Sequence, residues 1–147
     1  MSTYLLDVNV LIALFDPAHL EHQSAHKWFA SKGQKSWATC PITENGFIRV
    51  ISSPVYPSAD LLPNQAISLL SRFISASKQH VFWSDHVSLA DQAIFKTDQI
   101  RGHKQITDIY LLGLAKSYSG KLATFDKSIP LSTIADGGEK FVEIIKS

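Results

Sequence analysis

One stretch of this chain restricts the possible folds more than any other. Tyr4 to Asp16 reads YLLDVNVLIALFD, an almost wholly apolar run with Asp7 in its middle and Asn9 two residues on. An apolar segment of this kind is bound for a protein interior, where an ionised carboxylate without compensation costs several kcal/mol or more. The run divides at that residue. Tyr4–Leu6 predicts a short buried strand, and Val8–Phe15 predicts a helix that Asp16-Pro17 stops. Asp7 then sits at the carboxyl end of a buried strand. The interruption by Asp7 and Asn9, with no basic region before it, argues against a signal peptide or a membrane span.

The rest of the chain repeats the alternation. Glu21–Ser31 predicts an amphipathic helix ended by Gly33, and Ser36–Cys40 a second strand. Thr43–Ser52 predicts a helix with Thr43 as its N-cap. Ser53–Pro63, with Pro54, Pro57 and Pro63, predicts a loop. Helix follows at Asn64–Ala76, strand at Val81–Trp83 and a short helix at Leu89–Phe95. Asp98–Gln105 is a polar loop. Thr107–Tyr118 predicts a helix with Thr107 at or near its N-cap, ended by Gly120. Leu122–Phe125 predicts a strand stopping at Asp126, Ser128–Glu139 a loop, and Phe141–Ile145 a last strand. This order implies an α/β fold. A mainly parallel central sheet carries helices on both faces, in one domain over all 147 residues. In such sheets ligands sit beyond the carboxyl ends of the strands, near a switch in strand order.

Four acids fall at that edge. Asp7 and Asp126 each close a strand. Glu44 and Asp108 each follow a threonine at a helix start. The positions three, four and seven after Glu44 are Phe47, Ile48 and Ile51; after Asp108 they are Leu111, Leu112 and Ala115. That spacing puts each carboxylate at the top of its helix's apolar face. A single acid at a helix start is ordinarily a cap or a dipole partner, but four on one edge predict a cluster. Like charges so placed raise one another's pKa values, and a hard divalent cation resolves the repulsion. Oxygen-only ligands favour Mg²⁺ or Mn²⁺. Metal-assisted phosphodiester hydrolysis is the chemistry such a cluster suits.

Composition narrows the partners. With 14 Lys and Arg against 13 Asp and Glu, the net charge is +1, so nucleic-acid binding by bulk charge is excluded. Cys40 is the only cysteine. An intrachain disulfide and a cysteine-rich zinc site are therefore excluded, and a reducing cytoplasm is the expected location. His19, His22 and His26 can share a helical face; a zinc site there is weighed against a polar helix flank, which the sequence favours. Arg49, Arg101, His103, Lys104 and Lys127 lie near the elements that carry the acids and are candidate phosphate contacts, Arg49 and Arg101 first. Of the aromatics, Trp37 and Trp83 are expected in the core. Tyr56, in the proline-rich loop, is the candidate for stacking on a base. Cys40 beside Pro41 reads as a small buried hydrophobe.

The motifs LLDVNVLIAL, TEN, TDIYLLGLA and LATFD, in this order, resemble the PIN-domain nucleases, and more narrowly the VapC-type ribonuclease toxins of toxin–antitoxin pairs. The similarity runs from Leu5 to about Lys127 and includes GHKQITDIYLLGLAKSYSGKLATFDKSI. It implies Mg²⁺- or Mn²⁺-dependent cleavage of RNA, tRNA or ribosomal RNA being the usual targets. Asp7, Glu44, Asp108 and Asp126 match the four acids in turn. Asp7 and Asp108 would be the principal metal ligands, and Glu44 and Asp126 would complete the site directly or through water. Asn9 matches the polar residue after the first acid, and Thr124 a hydroxyl position before the fourth. Val8 departs from the commonest pattern, which has Thr. The resemblance also implies an antitoxin partner and a homodimer. Two other classes fit the acids alone: a phosphohydrolase of small phosphoesters, and a non-enzymatic module whose acidic pocket docks a basic segment.

Overall fold

The computed structural model of the chain describes residues 2–57 and 60–147. Its centre is a five-stranded sheet made of β1 (Tyr4–Leu6), β2 (Trp37–Thr39), β3 (His80–Phe82), β4 (Lys121–Thr124) and β5 (Val142–Ile144). Every pairing is parallel and the spatial order is β3-β2-β1-β4-β5. The chain builds outward from β1 to β3 and then returns to lay β4 on β1's other side. The switch in strand order therefore falls between β1 and β4.

Period-two alternation sorts side chains onto the two faces. Tyr4, Leu6, Trp37 and Ala123 enter one core with helices α1 (Val8–Phe15), α2 (His22–Ser31), α3 (Pro41–Ile51) and α4 (Pro63–Ala76). Leu5, Ala38 and Leu122 enter the opposite core beneath α5 (Ile106–Ser117), with Phe95, Ile129 and Ile134 closing it. Leu5, Leu6, Trp37, Ala38, Leu122 and Ala123 are completely buried, as strands covered on both faces must be. The expected α/β architecture, with helices on both faces, is the observed one. Trp37 and Trp83 are core residues, and Cys40 is a buried free thiol.

Two local expectations are corrected. Thr43 does not cap α3. Pro41 occupies the first helical turn, where its missing N–H is harmless, and Cys40 is the cap residue. Thr43 stands three residues in, and its Oγ1 accepts the Cys40 N–H at 3.0 Å. α5 begins at Ile106, with Gln105 at the cap position and Thr107 near it in the first turn, as expected. No helix forms at Leu89–Phe95. There the Ser88 Oγ accepts the Ala90 N–H at 3.0 Å and the Asp91 Oδ1 accepts the Ala93 N–H at 3.0 Å. The Ala93 amide, which a helix from Leu89 would give to the Leu89 carbonyl, is taken by Asp91, and Phe95 instead forms an antiparallel bridge with Ile134. The proline-rich loop predicted at Ser53–Pro63 contains no strand and no helix before Pro63 among its described residues; Ser58 and Ala59 lie outside them.

Phe95 also fixes how closely α5 approaches. A Cβ on Gly113 would lie 2.2 Å from the Phe95 ring, which is fully buried and has nowhere to swing. Gly→Ala inside a helix ordinarily gains about 1 kcal/mol of propensity. At Gly113 overpacking, typically about 1–3 kcal/mol, is expected to reverse that sign. Gly102→Ala meets nothing within 4 Å and is the control. Urea unfolding should show a lower midpoint for Gly113→Ala and an unchanged one for Gly102→Ala.

Candidate functional site

The switch between β1 and β4 is where the two strand-ending acids meet. Asp7 follows β1 and is the cap residue of α1, its Oδ1 accepting the Val8 N–H at 2.8 Å. Its Oδ2 accepts the Thr124 hydroxyl at 2.7 Å, across from the last residue of β4. The carboxylate is 6% exposed, and these two hydrogen bonds are its compensation within the chain. Burial pushes its pKa up and the Asp126 charge adds to that; the bonds from Thr124 and Val8 pull it down.

Thr124 organises the junction. Its single proton goes to Asp7, so its oxygen must accept from its other neighbours: the Asp126 N–H at 3.1 Å and the Asn9 Nδ2 at 3.5 Å. Asp126 is held in turn by Ser128, whose N–H and hydroxyl donate to its Oδ1 at 2.8 and 2.6 Å. With Nδ2 turned to Thr124, the Asn9 Oδ1 is left buried without a hydrogen-bond partner, an acceptor facing an unmet demand.

Asp108 enters from the first turn of α5. Its pKa is pushed up to about 6, first by burial and then by the charges of Asp7 and Asp126. Asp7, Asp108 and Asp126 are thus one electrostatic group, drawn from β1, α5 and the end of β4. Glu44 is placed differently. It lies in the first turn of α3, beyond the end of β2, and its Oε2 accepts the Thr39 hydroxyl at 2.6 Å. Thr39 also lies 2.8 Å from His80 Nε2. The Glu44 charge acts on His80, whose pKa burial lowers and Glu44 opposes; it is not among the charges that raise Asp7 or Asp108.

Among the described residues, no group of three or more His, Cys, Asp or Glu stands ready to hold a metal ion. The donor chemistry nevertheless fits a hard divalent cation. Three coupled carboxylates offer oxygen alone, one of them reluctant to ionise, beside an orphaned amide oxygen. The histidines do not form a site of their own. The ring nitrogens His22 Nδ1 and His26 Nε2 lie 2.7 Å from the carbonyls of Ala13 and Leu14, completing the last turn of α1. His19 Nδ1 accepts the Glu21 N–H.

The candidate RNA contacts separate. An open cavity of about 520 Å³ is lined by His103, Lys104, Asp108, Asp126 and Ser128, so the basic loop borders the acids. Arg101 and Lys127 are exposed on the flanking segments. Arg49 is in the last turn of α3 and lines a different groove, with Ile48, Pro63 and Ile67. The Tyr56 hydroxyl donates to Asp16 at the far end of α1 while its ring packs on the core. The Thr39–His80 link to Glu44 escaped the sequence reading. Its available signal was a threonine closing β2 as Thr124 closes β4.

Comparison with known proteins bears on the family and the fold. The model of the PIN domain family matches residues 4–135. Ribonuclease VapC44 of Mycobacterium tuberculosis is 45% identical over 130 residues, which cover 88% of this chain and 90% of that protein. Among solved structures, that of FitAB bound to an IR36 DNA fragment matches with a TM-score of 0.62 at 16% identity, over 96% of this chain and 94% of that one. VapBC2 of Rickettsia felis, bound to a DNA fragment from its promoter, matches with a TM-score of 0.55 at 15% identity, over 98% and 99%. These two structural likenesses speak to fold alone. The family match over most of the chain and the identity to VapC44 establish that the chain belongs to the PIN-domain family, as a VapC-type ribonuclease.

Proposed function

We propose that this chain is a Mg²⁺- or Mn²⁺-dependent endoribonuclease, the toxin of a toxin–antitoxin pair. The observation that carries the reading is the coupled group Asp7, Asp108 and Asp126 at the carboxyl edge of the sheet. Asp7 and Asp108 would hold the cation, with Asp126 and Glu44 completing the site. When bound, a divalent cation neutralises these carboxylates, acidifies water and polarises a phosphodiester. The chain's own residues prepare that place. Thr124 and the Val8 N–H hold the Asp7 carboxylate in one orientation. Ser128 holds Asp126. Asp108, with a pKa of about 6 and no hydrogen bond among the described residues, is the group that keeps or gives up a proton near neutral pH. His103 and Lys104, at the rim of the cavity that Asp108 and Asp126 share, are placed to meet the flanking phosphates of a single-stranded RNA.

The proposed substrate class is tRNA or ribosomal RNA, the name of VapC44 supporting ribonuclease action. A cognate antitoxin is the proposed protein partner, on the chain's membership among the VapC-type ribonucleases. A homodimer and a cytoplasmic location complete the reading. Among the described residues no helix is long and apolar enough to cross a membrane.

Two predictions follow from the acids. Asp7→Asn keeps the shape of the side chain and removes its charge. It is expected to fold, with a melting temperature in metal-free buffer no lower than wild type. It should lose more than about 100-fold in RNA cleavage with Mg²⁺ or Mn²⁺, beyond the usual penalty for an outer-shell partner of a metal site. An unfolded Asp7→Asn protein, or one that cuts like wild type, would count against the reading.

The second concerns pH. The Asp108 carboxyl keeps its proton to about pH 6 in the folded chain, against an ordinary value of 3.8. Between those values the folded state binds more protons than the unfolded one, so its stability falls as pH rises through that window. Without metal, the melting temperature should fall between about pH 4 and about pH 6, and Asp108→Asn should remove that part of the fall. Millimolar Mg²⁺ or Mn²⁺ at neutral pH should raise the melting temperature of wild type through preferential binding to the folded state, and raise it less in Asp7→Asn.

A further inference from the structure

Glu44 does not hang free at the sheet edge. The hydrogen bonds around it determine where each proton sits. Thr39 is fully buried at the end of β2, and its hydroxyl proton is committed to the Glu44 Oε2 at 2.6 Å. The Thr39 oxygen lies 2.8 Å from His80 Nε2. A hydroxyl that has spent its one proton can only accept, so the His80 Nε2 must carry a hydrogen and donate it. The chain therefore runs one way, from imidazole N–H to hydroxyl to carboxylate.

The surroundings hold this chain rigidly. His80 pairs with Trp37 in the parallel register of β2 and β3, two residues back from Thr39 along the same face. Its ring stands edge-on to the Trp37 indole, with centroids 4.6 Å apart. The Trp37 Nε1–H is itself tied to the Ser77 hydroxyl at 2.8 Å. The Glu44 Oε1 makes no hydrogen bond to a described residue, so one carboxylate oxygen is fixed while the other is open.

We infer that Thr39 and His80 are positioning residues for Glu44: the His80 Nε2–H orients the Thr39 hydroxyl, and the hydroxyl fixes Glu44 by one oxygen and leaves the other open. This rests on the ribonuclease reading and adds two residues from the edge of the sheet to the machinery it describes. A carboxylate held by an oriented donor loses less freedom when it engages its target. A chain acting as a unit also gives non-additive losses when broken at either link.

The test is steady-state cleavage of one defined RNA by the full chain, freed of any partner, at saturating Mg²⁺ or Mn²⁺. Thr39→Val removes the hydroxyl at nearly constant shape, and His80→Leu removes the donor. Each should lower kcat about 10-fold or more with KM little changed, and the double variant should lose no more than the worse single one. Thr39→Ser restores the hydroxyl, and His80→Gln restores an N–H near the Nε2 position. Both should recover most of the rate, which a purely packing role for Thr39 and His80 would not produce. In metal-free protein, a ¹H–¹⁵N spectrum of the imidazoles should show a protected His80 Nε2 proton that is lost or shifted in Thr39→Val.

The inference is overturned if folded Thr39→Val has wild-type kcat, if Thr39→Ser is no better than Thr39→Val, or if the Nε2 proton is absent from wild type or unmoved by Thr39→Val. Those failures leave the ribonuclease reading standing as long as wild type cuts RNA and Asp7→Asn does not. A wild type that cuts no RNA with either metal removes the ribonuclease reading and, with it, the role assigned to Glu44, whatever the imidazole spectrum shows.

Discussion

The hydrogen bond from the Thr124 hydroxyl to Asp7 joins the two strands on which the site depends. β1 and β4 are neighbours only because the chain crosses back over the sheet after β3. Asp7, just after β1, and Thr124, the last residue of β4, therefore come together from positions 117 apart in sequence. Once the Thr124 proton is given to Asp7, every other group at the junction has its role set. The Asp126 N–H must donate to Thr124, and so must the Asn9 amide. Asn9 is then left with its oxygen buried and unmet. One hydroxyl thus aims a carboxylate, orders the turn that carries a second, and leaves the Asn9 amide oxygen buried without a partner.

Much of this was legible because it is local. Apolar residues on both sides of Asp7 put it at a strand end. LATFD did the same for Asp126, and helical spacing set Asp108 over an apolar face. The two-sided burial of β1, β2 and β4 followed from the alternation of strands and helices. The sequence was less informative where short polar side chains compete for backbone amides. Leu89, Ala90, Ala93 and Ile94 are spaced as if on a helix, yet Asp91 takes the Ala93 amide first. At α3 the eye goes to Thr43, although Pro41 is the better start, because a first-turn proline loses no hydrogen bond.

Glu44 shows a different limit. Its helical position was readable, but where its carboxylate points was not. That depends on the register of β2 against β3, which brings His80 within reach of Thr39. Register is a long-range property of strand pairing, and β3, an edge strand with Val81 and Phe82 exposed, shows in the sequence only as a short apolar run. The fourth acid is on the predicted edge but turned toward neutral donors rather than into the coupled group of the other three.

That division has an electrostatic logic. Asp7 is the more buried of the two expected principal ligands, yet it has two hydrogen bonds that favour its charged form. Asp108 is less buried and has none among the described residues, so repulsion from Asp7 and Asp126 adds to the effect of burial and carries its pKa to about 6. Adding a fourth charge would raise the group further. Tied to Thr39, Glu44 is instead paired with a dipole chain whose far end is an imidazole that burial keeps toward neutrality. The edge can then carry four acids while only three contend directly. When a cation is absent, a proton on Asp108 relieves the contest, for among the described residues Asp108 has no hydrogen bond that stabilises its charge.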